Sequence, residues 1–173
     1  YIGSYDNRVY CLNAQTGAKV WEFETKGPIA TTPAVSGNNV YVGCFDYRCY
    51  CLDARSGAKV WEFKTGNMVA SSPAVAGGNV YFGSMDHKVY CLNGQTGARV
   101  WEFDTDQRIL SSPAVHNNFV YIGSRNYKLY CLNAQTGSKV WEVKTDYYVV
   151  ASPAVTGDNL YFGSWDNKFY GLN

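Results

Sequence analysis

Six cysteines are the residues of this chain with the widest chemical repertoire, because a thiolate can bind metals, act as a nucleophile or form a disulfide. Four of them recur at intervals of 40 residues, as Cys11, Cys51, Cys91 and Cys131. Equivalent positions of neighbouring repeats lie too far apart for the Cα separation of roughly 4.4–6.8 Å that a disulfide requires. A metal site needs Cys or His ligands that converge, and this spacing does not provide them. We therefore interpret these four cysteines as small buried apolar residues.

The two remaining cysteines, Cys44 and Cys49, flank a predicted hairpin turn. If Asp46 and Tyr47 form a two-residue loop, the side chains of Cys44 and Cys49 face each other across the hairpin. The sequence then predicts these two as the one pair of thiols with suitable geometry for a disulfide. Cys49 and Cys51 lie on the same face of one strand, so they are not expected to bond.

Other catalytic and binding chemistry is sparse. The only two histidines, His87 and His116, fall in different repeats, and no Ser-His-Asp set or pair of carboxylates can be assembled around them. The net charge is +1 and the basic residues are scattered, which argues against nucleic acid and against a polybasic membrane contact. No apolar run approaches the roughly 20 residues of a membrane-spanning helix. We therefore predict neither enzymatic activity nor a membrane span.

The elements that must position these residues form a 40-residue repeat. Each repeat contains four short extended runs separated by Gly and Asx turn residues. In the second unit these are strand A (Ala30–Val35), strand B (Val40–Cys44), strand C (Arg48–Leu52) and strand D (Lys59–Thr65). Four short strands in each 40-residue repeat, without helical periodicity, are typical of a β-propeller blade.

We predict an all-β fold, a β-propeller built from four-stranded antiparallel blades, with about four and a third repeats in the chain. Strands B and C occur five times, whereas strands A and D occur four times. The first blade therefore lacks strand A and the last blade lacks strand D. Residues 1–173 are predicted to form a single propeller segment, with blade units at about 1–25 (partial), 29–65, 69–105, 109–145 and 149–173 (partial).

The run from Leu12 to Trp21 resembles the tryptophan-docking motif of the quinoprotein (PQQ-type) propeller family, roughly Ala-x-Asp-x-x-Thr-Gly-x-x-x-Trp. Cys11 stands at the usual Ala position and Asn13 at the usual Asp position, whereas Asp53 keeps the acid. The resemblance covers the whole chain and implies that the Trp of each repeat packs against the neighbouring blade. The structural docking residues that it implies are Trp21, Trp61, Trp101, Trp141, Gly17, Gly57, Gly97 and Gly137.

The same family includes quinone-dependent dehydrogenases, so the resemblance also raises a cofactor hypothesis. Those enzymes use a stacking Trp, a disulfide between adjacent cysteines and a Ca²⁺ ion held by acidic and amide side chains. This chain has no Cys-Cys dipeptide, and Trp165, the one Trp outside the docking positions, has no accompanying carboxylate cluster. We therefore expect no cofactor, neither PQQ nor Ca²⁺.

The loops that differ between repeats are the candidate binding surface. In an up-and-down blade, the D–A connectors and the B–C turns emerge on one face of the ring, and the nearly invariant C–D turns emerge on the other. Loops on a rigid scaffold commonly carry binding specificity, although exposed turns also vary without a function. Large aromatic, Arg and Met side chains suit protein contacts. The candidate binding rim comprises Tyr5, Asn7, Phe45, Tyr47, Met68, Met85, His87, Arg108, Arg125, Tyr127, Tyr147, Tyr148 and Trp165.

The ragged ends leave three arrangements open for the ring. Two chains form one ring, the chain is part of a longer propeller, or the chain closes alone as a small ring; the first two are favoured. An open arc exposes apolar blade faces and unpaired strand edges, which promote association. The expected partners are therefore a second copy or the remainder of a longer propeller, together with a protein bound at the variable rim.

Three functions follow from these observations. The leading hypothesis is a non-enzymatic propeller scaffold for protein binding or assembly. The alternative is a near-symmetric or engineered structural repeat protein that only folds and self-assembles, which the high identity between units favours. The third is a fragment of a quinone-binding dehydrogenase. The resemblance further implies an outer-membrane assembly scaffold or a sensor ectodomain, and the sequence selects neither.

Overall fold

The computed structural model describes residues 1–173 and contains five antiparallel sheets without a helix. The three central sheets have four strands each, and the first and last sheets have three. The predicted all-β propeller architecture is confirmed. The chain has no helix that is long and apolar enough to cross a membrane.

Each sheet is one blade, and its strands follow one another in chain order. Blade one contains β1 (Ile2–Gly3), β2 (Arg8–Leu12) and β3 (Lys19–Glu24). Blade two contains β4 (Ala34–Ser36), β5 (Asn39–Cys44), β6 (Arg48–Asp53) and β7 (Lys59–Lys64). Blade three contains β8 (Ala74–Ala76), β9 (Asn79–Gly83), β10 (Lys88–Asn93) and β11 (Arg99–Asp104). Blade four contains β12 (Ala114–His116), β13 (Phe119–Ser124), β14 (Lys128–Asn133) and β15 (Lys139–Lys144). Blade five contains β16 (Ala154–Thr156), β17 (Asn159–Ser164) and β18 (Lys168–Leu172).

Strand A, the innermost strand of blades two to five, is shorter than predicted. Strand A of blade two, predicted from Ala30, begins only at Ala34. Pro33 has no N–H group to give to the sheet, so the ladder cannot extend through it. Before Pro33, the Thr31 side chain makes the bonds that the backbone of a longer strand would make. Its Oγ1 donates to the Gly43 carbonyl at 2.7 Å and accepts from the Gly43 N–H at 3.1 Å.

The predicted Cys44–Cys49 disulfide is wrong, and all six cysteines are free. Cys44 pairs with Arg48, and Cys49 pairs with Gly43, so three residues, not two, form the hairpin loop. Because successive residues of a strand point to opposite faces, this register places the two thiols on opposite sides of the sheet. Cys44 packs in the apolar cluster between blades one and two, and Cys49 packs in the cluster between blades two and three.

A β-bulge precedes each docking Trp. In blade two, Cys51 pairs with Trp61 and the next residue, Leu52, pairs with Lys59, so Val60 is the extra residue. The same shift occurs in blades one, three and four. A bulge bends its strand and redirects the neighbouring side chain. Here the Trp side chain turns towards the next blade, and Val60 is left half exposed.

The core lies between blades rather than within them. Each apolar cluster combines residues of two consecutive blades, as when Val9 and Trp21 of blade one pack with Ile29 and Val42 of blade two. Burying such side chains contributes roughly 1.5–3 kcal/mol each. The apolar contacts that stabilise the fold are therefore the contacts that hold consecutive blades together.

Candidate functional site

The variable loops of each blade lie next to one another and are hydrogen-bonded. The N–H group of the first residue in each B–C turn donates to a carbonyl of the preceding D–A connector. The four such bonds are Phe45 to Pro28 (3.0 Å), Met85 to Met68 (2.9 Å), Arg125 to Arg108 (3.1 Å) and Trp165 to Tyr148 (2.9 Å). The two kinds of variable loop thus form one continuous rim.

Each connector is fixed to the turns of both blades that it joins. Between blades one and two, the Thr25 hydroxyl donates to the Asn7 carbonyl at 2.9 Å and to the Gly27 carbonyl at 2.8 Å. The next residue, Lys26, donates its N–H to Asp46 Oδ2 at 3.1 Å. The same carboxylate oxygen accepts from the Tyr50 hydroxyl at 2.6 Å. Rim side chains are therefore presented from an ordered backbone.

Five predicted rim residues converge between blades four and five. Tyr127 stacks on Tyr147 with ring centroids 5.6 Å apart, and Tyr148 lies 4.4 Å from Tyr147. Trp165 packs edge-on to Tyr148 at 5.9 Å, and the Arg125 guanidinium lies 4.3 Å above the Tyr148 ring. Trp165 is 60% exposed. We call these five residues the aromatic cluster; it combines ring faces, hydroxyl groups and one cation on an accessible surface.

The remaining rim residues are more dispersed. Tyr5 and Phe45 make an edge-to-face pair at 6.3 Å, and Tyr5 is 71% exposed. Met68 and Met85 are joined through their backbones. The side chains of His87 and Arg108 make no hydrogen bond. None of the predicted rim residues is fully buried.

The last residue of every B–C turn has a left-handed backbone. Its φ angle is 69° at Asn7, 71° at Tyr47, 78° at His87, 69° at Tyr127 and 65° at Asn167. Asn and His adopt this conformation more readily than most residues, whereas Tyr does so at a cost of about 1 kcal/mol. Two of the five turns therefore carry a Tyr side chain where Asn is locally preferred.

Six of the eight docking residues predicted from the family resemblance lie at completed joints between blades, whereas Gly17 has no indole against it and Trp141 makes no hydrogen bond. Trp61 Nε1 donates to the Gly94 carbonyl of blade three at 2.9 Å, and the Trp61 side chain is nearly buried. Gly97 has a φ of 71°, and a Cβ added there would lie 2.7 Å from Trp61 Cδ2. The left-handed turn and the lack of a side chain both require glycine at this position.

Nucleophilic and metal-binding chemistry finds little support in the side-chain arrangement. Burial raises the pKa of Cys51 and of Cys91 to about 12, which disfavours the reactive thiolate. No group of three or more His, Cys, Asp or Glu side chains has the proximity to hold a metal ion.

Two polar sets were missed at the sequence level. One is the pairing of an Asp in the B–C turn with the Tyr four residues later, as in Asp86 and Tyr90 at 2.8 Å. The other is a series of hydrogen bonds between the segments that precede the inner strands, where Thr32, Ser72 and Ser112 each donate a backbone N–H to the hydroxyl 40 residues later. Both sets recur with the 40-residue period, which was the available signal.

Comparison with known proteins gives one family. A sequence profile for PQQ-type repeats, described as outer membrane protein assembly factor BamB, matches residues 1–102 and 85–173. The two overlapping segments together span the whole chain. The resemblance to PQQ-type propellers is therefore confirmed.

Solved structures share the fold. BamB from Moraxella catarrhalis overlays on 98% of this chain with a TM-score of 0.85 and 22% sequence identity. The computationally designed Ika8 protein overlays on 98% with a TM-score of 0.88 and 18% identity. The designed Ika4 protein overlays on 86% with a TM-score of 0.78 and 18% identity, and the match covers 92% of Ika4. At these identities the likeness concerns the fold alone.

The lengths of these relatives differ from that of this chain. The match covers 53% of the BamB structure and 53% of Ika8, so this chain spans about half of each. The beta-alanine-activating enzyme of Danio rerio is 54% identical over 33 residues, which make up 19% of this chain and 3% of that protein.

Proposed function

The chain belongs to the family described as outer membrane protein assembly factor BamB, and from this premise we propose that it is a non-enzymatic propeller scaffold that binds proteins through its variable rim. Its backbone is repetitive, and the B–C turns and D–A connectors, which carry most of its variable aromatic, Arg and Met side chains, lie on one face. The M. catarrhalis BamB structure carries the same fold. The description of the family as an assembly factor supports a protein as the partner.

The observation that carries this proposal is the strained set of turns on the rim. Tyr47, His87 and Tyr127 occupy left-handed positions that Asn7 and Asn167 fill in the two end blades. Side chains that are kept against the local backbone preference are typical of functional sites. Local backbone preference explains His87 but not Tyr47 and Tyr127, whereas a contact surface explains the two tyrosines.

The aromatic cluster is the strongest part of that surface. Tyr, Trp and Arg are the residue types that most often dominate binding energy at protein interfaces. Tyr147 and Trp165 are 42% and 60% exposed, so their rings are accessible to a partner. The Arg125 guanidinium adds a cation that could select a carbonyl or a carboxylate.

A quinone-dependent activity has weaker support. Trp165 is exposed at the rim, and its ring contact is Tyr148. The carboxylate of the next residue, Asp166, accepts a hydrogen bond from the Tyr170 hydroxyl at 2.7 Å. Titration with PQQ and Ca²⁺ tests the alternative, because a saturable quenching of tryptophan fluorescence would support a quinone site and contradict the non-enzymatic assignment.

The proposal extends to the ends of the arc. Blades one and five have three strands each, and their outer faces expose Ile2 and Phe169. We propose that another chain, or the remainder of a longer propeller, covers these faces. Unpaired edges and exposed apolar faces favour such completion.

Selection from a phage-displayed library of random peptides tests rim binding with the full chain as bait. We expect recovered peptides to lose affinity at least about tenfold for the Arg125→Ala and Trp165→Ala variants. Arg55→Ala is the matched control, because Arg55 is exposed in the C–D turn on the opposite face. Recovery of no peptide, or of peptides that are insensitive to both rim variants, would contradict the proposal.

Self-assembly alone is the second candidate function. The nearly identical docking residues and the open end faces favour it. It predicts association between copies without any effect of rim variants on binding, which the same selection distinguishes.

A further inference from the structure

The first three of the four joints within the chain are built from one repeated contact. The indole Nε1 of a docking Trp donates to the carbonyl of the residue 33 positions later, in the C–D turn of the next blade. The bonds are Trp21 to Ala54 (3.0 Å), Trp61 to Gly94 (2.9 Å) and Trp101 to Ala134 (2.9 Å). The glycine three residues after that carbonyl lies against the indole. A Cβ added to Gly57, Gly97 or Gly137 would lie 2.7, 2.7 and 2.6 Å from the ring.

Trp141 is the fourth docking Trp, and its joint is incomplete. Its side chain makes no hydrogen bond, and it is 37% exposed, whereas the other three are 8% exposed. A cavity of about 420 Å³ lies beside it, lined by residues that include Tyr121, Leu160 and Leu172. The cavity also contacts Asp158 of the A–B turn. In blade two the corresponding Asn38 carbonyl accepts from the Ala54 N–H of the C–D turn at 2.8 Å.

The first C–D turn of the chain carries the complementary features without a partner. The backbone N–H and carbonyl of Ala14 make no hydrogen bond, although the equivalent groups of Ala54 and Ala134 make theirs. Gly17 has the same left-handed φ of 70° as the joint glycines, but a Cβ added there would meet nothing within 4 Å. Gly17 therefore has the conformation of a joint glycine without the indole. Within one chain the two ends of the arc do not meet.

The series of hydrogen bonds that begins at Thr32 also has an unused donor at one end and an unused acceptor at the other. Thr32 donates to Ser72, Ser72 to Ser112 and Ser112 to Ser152, at 2.8–3.0 Å. The Ser152 N–H has no acceptor, and the Thr32 hydroxyl accepts no bond. Each of these bonds joins a residue to the equivalent position of the next repeat. For Ser152 the next repeat would have to supply a hydroxyl at that position, and Thr32 is the residue at the equivalent position of its own repeat.

We propose that the face beside Trp141 binds the first repeat of a second copy of this chain. Trp141 Nε1 then donates to the Ala14 carbonyl of that copy, Gly17 of that copy lies against the indole, and the Ser152 N–H donates to its Thr32 hydroxyl. Two such head-to-tail seams close a ring of two chains with twofold symmetry. This inference rests on the proposal above that another chain or the remainder of a longer propeller covers the ends of the arc. It identifies the covering partner as a second copy.

The assignment to a second copy rests on the three complete joints inside the chain, whose contacts the proposed seam repeats. The partner groups that Trp141 and Ser152 lack are all found at the other end of the same chain. There they lie at the equivalent positions of the repeat and have no partners of their own. The chain also overlays about half of the BamB and Ika8 structures, so two copies end to end have the span of one of those propellers.

The shared blade needs only one set of strands B and C. Residues 1–13 of one copy and residues 161–173 of the other are near-copies that occupy the same place in the repeat. One segment forms the blade, and the other is displaced at each seam. The contacts of Trp141, Ala14 and Gly17 are the same in both cases.

Sedimentation equilibrium of the full chain and of two matched variants tests the proposal. Gly17→Asn adds a Cβ where Trp141 of the other copy would lie, and Asn tolerates the left-handed backbone. Gly37→Asn is the control: Gly37 has a φ of 58°, a Cβ there meets nothing within 4 Å, and Asn117 already fills the equivalent position of blade four. Circular dichroism during urea unfolding verifies that both variants fold.

We expect the unmodified chain and Gly37→Asn to have about twice the 19.3 kDa chain mass, and Gly17→Asn to dissociate at a concentration at least tenfold higher. A mass of one chain for the unmodified protein would overturn the proposal, since it would mean that the chain stays single or closes alone. Equal dissociation constants for all three proteins would also overturn it. Because no rim residue is altered, either result leaves rim binding to be judged by the peptide selection.

Discussion

The indole Nε1 of Trp61 and the carbonyl oxygen of Gly94 form a hydrogen bond of 2.9 Å across the joint between blades two and three. Gly94 is buried, and the Tyr41 hydroxyl donates to the same carbonyl at 3.2 Å. Two side chains of one blade therefore fix the C–D turn of the next. The nearly invariant Thr-Gly turn has this structural task at each joint, and it lies away from the variable rim.

Removing this bond should destabilise the fold measurably. Trp61→Phe keeps an aromatic ring but leaves the Gly94 carbonyl with one donor and removes part of the buried surface. We expect the free energy of unfolding to fall by about 1–3 kcal/mol, as measured by urea denaturation. Trp165→Phe, at an exposed rim position, serves as the control and should change it by less than about 0.5 kcal/mol. Equal effects of the two substitutions would contradict the assignment of Trp61 to the joint.

The strained turns predict a substitution that stabilises the protein. Tyr47 has a φ of 71°, and Asn adopts this conformation more readily. Tyr47→Asn should therefore raise the free energy of unfolding by about 0.5–1 kcal/mol. Asn7→Tyr makes the reverse change in blade one and should lower it by a similar amount. If Tyr47→Asn were destabilising, the Tyr47 side chain would have a packing role that its 41% exposure does not suggest.

The buried thiols should react only when the protein opens. Cys49, Cys51 and Cys91 are 0% exposed, and burial raises their pKa values above the usual range. A thiol-specific reagent should modify them more slowly in the folded chain than in urea, by roughly a thousandfold or more. Mild oxidation of the folded chain should not link Cys44 to Cys49. Formation of that link, detected by mass spectrometry after digestion, would contradict the observed B–C register.

The outer strands predict a loss of stability in acid. The Lys88 ammonium bonds Glu102 Oε1 at 2.6 Å and lowers the pKa of Glu102, and Lys59 does the same to Glu62. A folded-state pKa below the unfolded value means that the unfolded chain binds the proton first, so this stabilisation is present above about pH 4.3 and is lost as the pH falls through the lowered pKa. These carboxylates are partly exposed, so the effect should be small and screened by salt. Urea midpoints at neutral and acidic pH, with and without salt, measure it; Glu102→Gln should reduce the pH dependence.

The repeat made most of the architecture predictable. A 40-residue period with four extended runs specifies four-stranded blades, and the aligned Trp positions mark the joints because every joint has the same geometry. The length of strand A was overestimated, although Pro33 marks the point where the backbone ladder must end.

The B–C turns were harder to predict from sequence. The sequence prediction took Asp46 and Tyr47 alone as the loop, whereas the structure has three loop residues, and the third, Tyr47, is left-handed where turn rules expect Asn or Gly. That one-residue difference moved Cys44 and Cys49 to opposite faces. The aromatic cluster also depends on the packing of blades four and five. The sequence of each turn taken alone therefore could not predict that Tyr127 and Trp165 belong to one cluster.

The central claim is that the joints stabilise the scaffold and the rim binds the partner, and one paired measurement tests it most directly. The urea midpoint and the dissociation constant for a library-selected peptide would be determined for Trp101→Phe, at a joint, and for Trp165→Ala, at the rim. We predict that Trp101→Phe lowers the midpoint and leaves the peptide affinity within about twofold, whereas Trp165→Ala weakens binding at least about tenfold with little change in the midpoint. A rim variant that unfolds the protein while the affinity per folded molecule stays constant would contradict the account.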